Sequence, residues 1–324
     1  MKNKTMDSRK KRKKKKSKRV LFFVLLSITI LFLSLASYAT YLYFKAESVF
    51  SESYAETTRD KSSLRDVKVD PKFDNISILI IGVDESKNRK NAGNSRSDAL
   101  MLATLNKDEK SVKLLSIPRD SYVHIPGLGY ETRINHAYQS GGTEGTIETV
   151  ETLLDVPIDY YVKLNFEGFV DVIDSIGTVR VNVPYEITEG SYYGTAKVHL
   201  EPGVQKLNGE EALAFARTRK QDNDIERGKR QQEVVKATVQ EVTSLDSLFN
   251  YEKIIEAVGD NMTTDLRFDE MKSFITYGME GSNLNFETLT LAGTDYQPGN
   301  MYFWKLDEEE LENTKRELKE HLEL

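Results

Sequence analysis

The chain has 324 residues, no cysteine and a formal net charge of −6. Twelve of its 45 basic residues but only one of its 51 acidic residues fall in residues 1–19, so the remainder carries a net −17. The absence of cysteine excludes a disulfide-held scaffold, and a strongly basic tail on an acidic body implies two compartments rather than one uniform soluble domain.

Residues 20–44 follow the tail and contain no charged side chain. As a helix they would extend about 37 Å at about 1.5 Å per residue, more than the roughly 30 Å of a bilayer's hydrocarbon core. Tyr38, Tyr41 and Tyr43 close the run, as residues of a membrane–water interface do. A cleaved signal peptide is the alternative. The run exceeds the roughly 7–15 apolar residues of a signal core, and Ala-Ser-Tyr-Ala at 36–39 is a loose cleavage match. An uncleaved, single-pass anchor is therefore expected, with residues 1–19 as a cytoplasmic tail and everything from about 45 onward outside the cell membrane. The tail lacks aromatic residues for base stacking, so no nucleic acid partner is expected.

Residues 45–72 are polar and read as an extracellular stalk closed by Pro71. The folded body begins near Phe73. Ile76 to Val83 is a β-branched apolar run of strand length. Asp98 to Leu105 and Val112 to Ile117 read as two more strands joined by a turn at 106–110. Ser140-Gly-Gly142 breaks the chain, and Thr143 to Leu154 has a helical stripe. Tyr160 to Leu164 reads as a strand, Phe166 to Ile176 as a helix ended by Gly177, and Val179 to Val183 as a strand. Asn208 and Glu211 form a capping box for a helix through Ala216. A longer helix is expected from about Arg227 to Leu245. Helices near 251–259, 267–280 and 307–322 and strands near 285–291 and 301–305 complete the chain. Strands alternating with helices predict an α/β fold, a mixed central sheet flanked by helices.

Polar residues gather just after strands, where open α/β sheets bind ligands. Asp84 follows the first strand, Arg96 and Asp98 open the second, and Arg119 and Asp120 follow the third. Pro118 ends that strand and sets the direction of Arg119. Further along, Arg217, Arg219, Lys220, Arg227, Lys229 and Arg230 crowd together with Asp222, Asp224 and Gln231. Guanidinium forks bind phosphate oxygens in pairs, and carboxylates beside them suit Mg²⁺ bridged to phosphate. The competing reading is a solvated helix end laced with ion pairs. Four dispersed histidines show no zinc spacing, and there is no P-loop or Gly-x-Ser-x-Gly elbow.

These residues sit in an ordered series of motifs: Ile-Gly-Val-Asp84, Arg96-Ser-Asp98, Leu-Leu-Ser-Ile-Pro-Arg119-Asp120, Arg133-Ile-Asn135-His136-Ala-Tyr138, Pro157-Ile-Asp159-Tyr-Tyr161, Leu207-Asn-Gly-Glu-Glu-Ala-Leu-Ala-Phe-Ala-Arg217-Thr-Arg219 and Arg227-Gly-Lys-Arg230-Gln231. The series resembles the LytR–CpsA–Psr family over roughly residues 73–240, the expected catalytic domain, with 241–324 as a C-terminal extension packed on it. The resemblance implies a transferase that moves a glycosyl-phosphate polymer, a teichoic acid or similar anionic glycan, from undecaprenyl pyrophosphate to peptidoglycan, at the C6 hydroxyl of N-acetylmuramic acid. It implies Mg²⁺ on Asp84 and Asp98. It implies a pyrophosphate clamp of Arg119, Arg217, Arg219 and Arg227 with Gln231 beside them. Arg96 and Arg133, within matched motifs, join the pyrophosphate-binding set, Asp224 lies within a matched motif without an assigned role, and catalysis rests on Asp84 and Arg119. Family folds also carry an apolar channel for the lipid. Tyr160, Tyr161, Phe166 and Phe169 are candidates for its wall or for ordinary core. This sequence departs from the family pattern at Thr132-Arg133, at Gly177-Thr178 and at Asn223-Asp224-Ile225, which leaves the loop around Asp224 least constrained. Two other classes compete: a lipid- or glycan-binding protein without catalysis, and a membrane-bound transcriptional attenuator.

Overall fold

The computed structural model describes residues 3–84, 95–242, 251–279 and 284–324. The chain forms two compact units, Met1–Ser48 and Val49–Leu324. In the first, helix α1 (Asn3–Ser53, which runs on into the second unit) contains a stretch long and apolar enough to cross a membrane. This stretch, within Val20–Ser53, includes the segment expected as an anchor at 20–44.

The second unit is built on a six-stranded mixed sheet. Its strands are β1 (Ile76–Val83), β2 (Ser97–Asn106), β3 (Ser111–Ser116), β6 (Tyr160–Asn165), β11 (Met262–Thr264) and β12 (Asn285–Thr290), in the order β11-β6-β1-β2-β3-β12. β1 runs parallel to β6 and β12 parallel to β3; the other pairs are antiparallel. Strand alternation divides the apolar side chains between two faces. Leu79, Ile81, Val83, Leu100, Leu102 and Leu115 pack beneath α2 (His136–Leu154) and α8 (Glu308–Leu322). Each fully buried aliphatic side chain there contributes about 1.5–3 kcal/mol relative to exposure. Ile80, Met101, Ala103 and Leu114 point the other way, toward Val235 of α5 (Asp224–Val242).

On that second face lie α3 (Phe166–Ile176) and α4 (Gly209–Arg217). Asn165 caps α3 by accepting from the Gly168 amide at 2.7 Å, and Asn208 with Glu211 makes the expected capping box on α4. The expected break at Ser140-Gly142 is a kink inside α2, where Gly142 takes φ 59° and ψ −145°. α5 starts three residues earlier than expected, and its expected end at Leu245 lies outside the described residues.

The polar stretch expected as a stalk is bound to the body from Tyr54 onward. The Ala55 amide donates to Thr264 O at 2.8 Å, Arg59 pairs with Glu151 at 2.8 Å, and Arg65 grips Asp159 through Nε and Nη2. Its lack of large apolar residues concealed this, because the anchorage is polar. Residues past 240 likewise do more than pack on the domain. They supply both edge strands of the sheet, β11 and β12.

Candidate active site

The site starts from an irregularity in β2. Gly82 of β1 pairs with Ala99 and Val83 pairs with Ser97, so Asp98 is the extra residue of a β-bulge. A bulge re-aims a side chain. Simple alternation would put Asp98 on the face of Leu100; instead its carboxylate borders a cavity with Ala99 and Met101. Gly82 permits the close approach, since a Cβ there would lie 2.9 Å from the Cβ of Ala99.

This cavity, of about 250 Å³, lies between the sheet and the layer of α3, α4 and α5. Ile80, Met101, Leu164, Phe166, Phe169 and Val235 make its apolar wall; Asp98, Arg119, Arg217, Arg219, Arg227 and Gln231 make its polar rim. Six of the ten sequence-predicted site residues thus converge on one opening. Arg119 arrives from the loop after β3, Arg217 ends α4, and Arg227 and Gln231 share one face of α5. Gly228 lets α5 lie against the sheet, because a Cβ there would fall 2.3 Å from Ser116 Oγ. Of the four candidate channel aromatics, Phe166 and Phe169 line the cavity, whereas Tyr160 and Tyr161 are core.

The charges at the rim interlock. Arg119 Nη1 donates to Asp98 at 2.5 Å, and its amide donates to Asp224 at 3.1 Å. Asp224 also pairs with Arg227 at 2.6 Å. Burial pushes the Arg227 pKa down to about 10; Arg119 and Arg219 lower it further, and Asp224 opposes them. Arg227 is still a cation at neutral pH. The Nε–H groups of Arg119 and Arg227 are buried and make no hydrogen bond among the described residues, although Arg119 Nε lies 3.8 Å from Asp224 and 3.9 Å from Asp120. Buried guanidinium donors with capacity left over suit an anion. Gln231 donates to Ala216 O at 3.2 Å.

The remaining predicted residues stand further off. Asp84 follows β1 directly, next to the register pairs of Val83 with Ser97 and with Asn165. It is not among the residues lining the cavity. Arg96 is exposed and donates to Gln139 at 3.1 Å. Arg133, on β5 (Tyr130–Arg133, paired with β4, Tyr122–Ile125), lies 3.3 Å from Asp120 and donates to Tyr302 O at 2.8 Å. Burial lowers the His136 pKa, helped by Arg96 and Arg133 and opposed by Asp120. Lys229 is an exposed ion pair with Glu226, and Arg230 is turned away from the cavity into a structural cage. Tyr302 was not foreseen. It reaches this region from the turn between β13 (Gly293–Tyr296) and β14 (Phe303–Leu306), and no local motif marks it. A larger groove of about 1000 Å³, lined by Lys68, Lys72, Lys107 and Arg267 among others, borders the β2–β3 turn at the opposite end of β2 and contains none of the predicted residues.

An apolar cavity lined also by four arginines thus lies at strand ends of a mixed α/β sheet. The chain belongs to the LytR_cpsA_psr family, whose sequence model matches residues 40–320. The match passes both ends of the 73–240 span read from motifs. It is 38% identical over 299 residues to the polyisoprenyl-teichoic acid–peptidoglycan teichoic acid transferase TagT of Bacillus subtilis (strain 168), covering 90% of this chain and 91% of that one. It is also 38% identical to the corresponding transferase TagU of Halalkalibacterium halodurans, over 90% and 94% of the two chains. A solved structure of the family protein YwtF (TagT) with bound octaprenyl pyrophosphate lipid superposes with a TM-score of 0.65 at 33% identity, covering 83% of this chain and 99% of that one.

Proposed function

We propose that this chain is a membrane-anchored transferase that moves a glycosyl phosphate from a polyisoprenyl pyrophosphate, of the undecaprenyl type, to a peptidoglycan hydroxyl, the C6 hydroxyl of N-acetylmuramic acid. The observation that supports this is an apolar cavity whose lining includes two arginines, Arg119 and Arg227, with buried Nε–H groups that make no hydrogen bond among the described residues. The names of the relatives, and the lipid bound by one of them, support the same reading. In this reading the isoprenyl chain lies along Ile80, Met101, Phe169 and Val235, and Arg119, Arg217, Arg219 and Arg227 hold the diphosphate with Gln231. Phosphoryl transfer needs placement and charge neutralisation more than covalent help, and fixed guanidinium groups supply both. Arg96 and Arg133 act from outside the cavity, through Gln139 and Asp120.

Asp84 and Asp98 are the residues that would hold Mg²⁺ in this reading. Asp84 and Asp98 are hard oxygen donors from neighbouring strand ends, and Mg²⁺ is commonly held by one or two carboxylates plus the substrate's phosphates. When bound, the ion would neutralise charge on the diphosphate. Asp84 is assigned the further task of accepting the hydroxyl proton. An Asp84→Asn protein that binds metal and lipid normally but turns over at the wild-type rate would remove that role.

The test is reconstitution of the full-length chain with an octaprenyl-pyrophosphate-linked disaccharide and a peptidoglycan oligomer, with Mg²⁺ and with chelator. Product is expected only with Mg²⁺. Equal product in chelator would remove the metal, and lipid binding without any product would make the chain a binding protein. A reporter fused after Leu324 is expected to be active outside the membrane; cytoplasmic activity would reverse the topology and reopen the attenuator reading.

A further inference from the structure

Arg217 and Arg219 border a second cavity of about 610 Å³. Its other walls include Asp120, Glu189, Lys220, Asn223, Asp224 and Tyr302. None of these is aliphatic, so the two cavities that share the arginine pair are opposite in character. The second is also nearly balanced in charge, with Arg217, Arg219 and Lys220 facing Asp120, Glu189, Asp222 and Asp224. A second polyanion would need an excess of cations. A basin of mixed donors and acceptors with one amphipathic aromatic suits an uncharged polyhydroxyl ring.

We infer that this basin is the acceptor subsite, taking a pyranose of the peptidoglycan glycan strand, and that Tyr302 positions it. The inference rests on the transferase reading above and extends it. In phosphoryl transfer the attacking and leaving oxygens stand roughly in line on opposite sides of phosphorus. The leaving lipid phosphate lies toward the apolar cavity, so the incoming hydroxyl must come from the side away from it. The shared arginines make the basin that side. The hydroxyl oxygen bonds to the glycan-bearing phosphorus, and the bond from that phosphorus to the bridging oxygen breaks. The lipid phosphate keeps the electron pair, and the hydroxyl proton leaves to solvent. Tyr302 is held for this task from both ends. Its carbonyl accepts from Arg133 at 2.8 Å and its hydroxyl donates to Asp295 at 2.8 Å. Burial pushes its phenol up to about 12, with Asp295, Asp120 and Asp224 adding to the shift, so it stays protonated; its one hydrogen goes to Asp295, and its ring face and hydroxyl lone pair are what it offers a sugar. The residues beyond 240, silent in the sequence, thereby contribute directly to the site.

The experiment uses the full-length chain in detergent with the octaprenyl donor and a muramyl tetrasaccharide, each varied in turn. Tyr302→Ala is expected to raise the KM for the tetrasaccharide about tenfold and leave the donor KM within about twofold. Lys220→Trp, which fills the basin from an exposed position, should act in the same way and covers the case in which Tyr302→Ala does not fold. Tetrasaccharide affinity measured alone by calorimetry should weaken in parallel. A raised donor KM would assign the basin to the donor's own sugars, and unchanged constants for both substrates would leave it no role; either result overturns the inference. Saccharide binding that depends on Tyr302 in a protein that never transfers would sink the transferase reading and keep the subsite. Transfer that is indifferent to Tyr302 would sink the subsite alone.

Discussion

Along α5 the cavity side and the side turned toward α4 each hold a buried arginine beside an aspartate. Arg227 faces Asp224 on the first, and Arg230 faces Asp222 on the second. The two arginines are 5% and 4% exposed, so burial does not separate them. Hydrogen bonding does. Arg230 donates to Phe215 O at 3.0 Å, Thr218 O at 2.5 Å, the Tyr185 hydroxyl at 3.1 Å and the Asp222 carboxylate. It ties the loop after α4 into place and keeps little capacity for a ligand. Arg227 has its carboxylate and a buried Nε–H that meets no acceptor among the described residues. The difference separates an arginine whose donors the fold consumes from one that keeps a donor in reserve, a property that charge and spacing do not reveal.

Substitutions can break this contrast. Arg230→Ala removes one member of a buried pair and strands two carbonyls, so it should cost about 3–5 kcal/mol, read from the urea midpoint. A loss below about 1 kcal/mol would mean that Arg230 is not structural. Arg227→Ala should lower transfer about 10²–10³-fold, the scale for losing one preorganised donor, in a protein that still melts cooperatively. Arg227→Lys should not restore it, because an ammonium lacks the planar fork. Activity that falls only in step with the folded fraction would merge the two arginines into one class. Gly82→Ala sharpens the contrast at the other wall. Its Cβ would crowd Ala99 beside the bulge, at an expected cost of about 1–3 kcal/mol, and would displace Asp98. Unchanged stability and unchanged transfer would show that the bulge is not needed to aim Asp98.

Much of this arrangement is legible in the sequence because it is written locally. Asn208 with Glu211, the glycine after α3 and the alternation of Val179 to Val183 each predict the element that forms. The motifs locate most of the rim, since Arg119, Arg217 and Arg227 each lie at the end or start of an element. Other features depend on distant partners. Asp98 is aimed by a register shift against β1, which the β2 sequence does not encode alone. β4, β5, β8 (Ile187–Gly190), β9 (Lys197–Leu200) and β10 (Gly203–Leu207) are short pairs stabilised by their neighbours. The stretch after Tyr54 carries the composition of a linker but meets complementary charges on the body. Tyr302 reaches the basin only because β13 and β14 fold beside the loop bearing Asp120, where the Trp304 amide donates to Asp120 O at 2.8 Å.

The gentlest probe of the contrast between satisfied and reserved groups is pH. His321 belongs to the satisfied set. Its two ring nitrogens lie 2.8 Å from Thr104 Oγ1 and 2.7 Å from Ser111 Oγ. Burial lowers its pKa, Lys113 lowers it further, and Glu109, Glu287 and Glu317 oppose the shift. The unfolded chain takes up this proton near about pH 6.5 and the folded chain resists it, so the contribution of His321 is present above that value and lost as pH falls below it. His136 has the same sign. Asp265 has the opposite sign: burial pushes its carboxyl up to about 6, so the folded state gains that proton first and is favoured as pH falls through that value. Denaturation free energies compared at about pH 7.5 and 6.3 in an Asp265→Asn background isolate the histidines, because Asp265 would otherwise begin to protonate in that window. Stability in that background should decline across the window, and His321→Gln should flatten the decline more than His136→Gln, because His321 is the more deeply enclosed of the two. A larger flattening from His136→Gln would place the stronger proton-linked constraint beside Arg96 and Arg133, outside the cavity, and the reserved and satisfied groups would then not differ in their coupling to the fold.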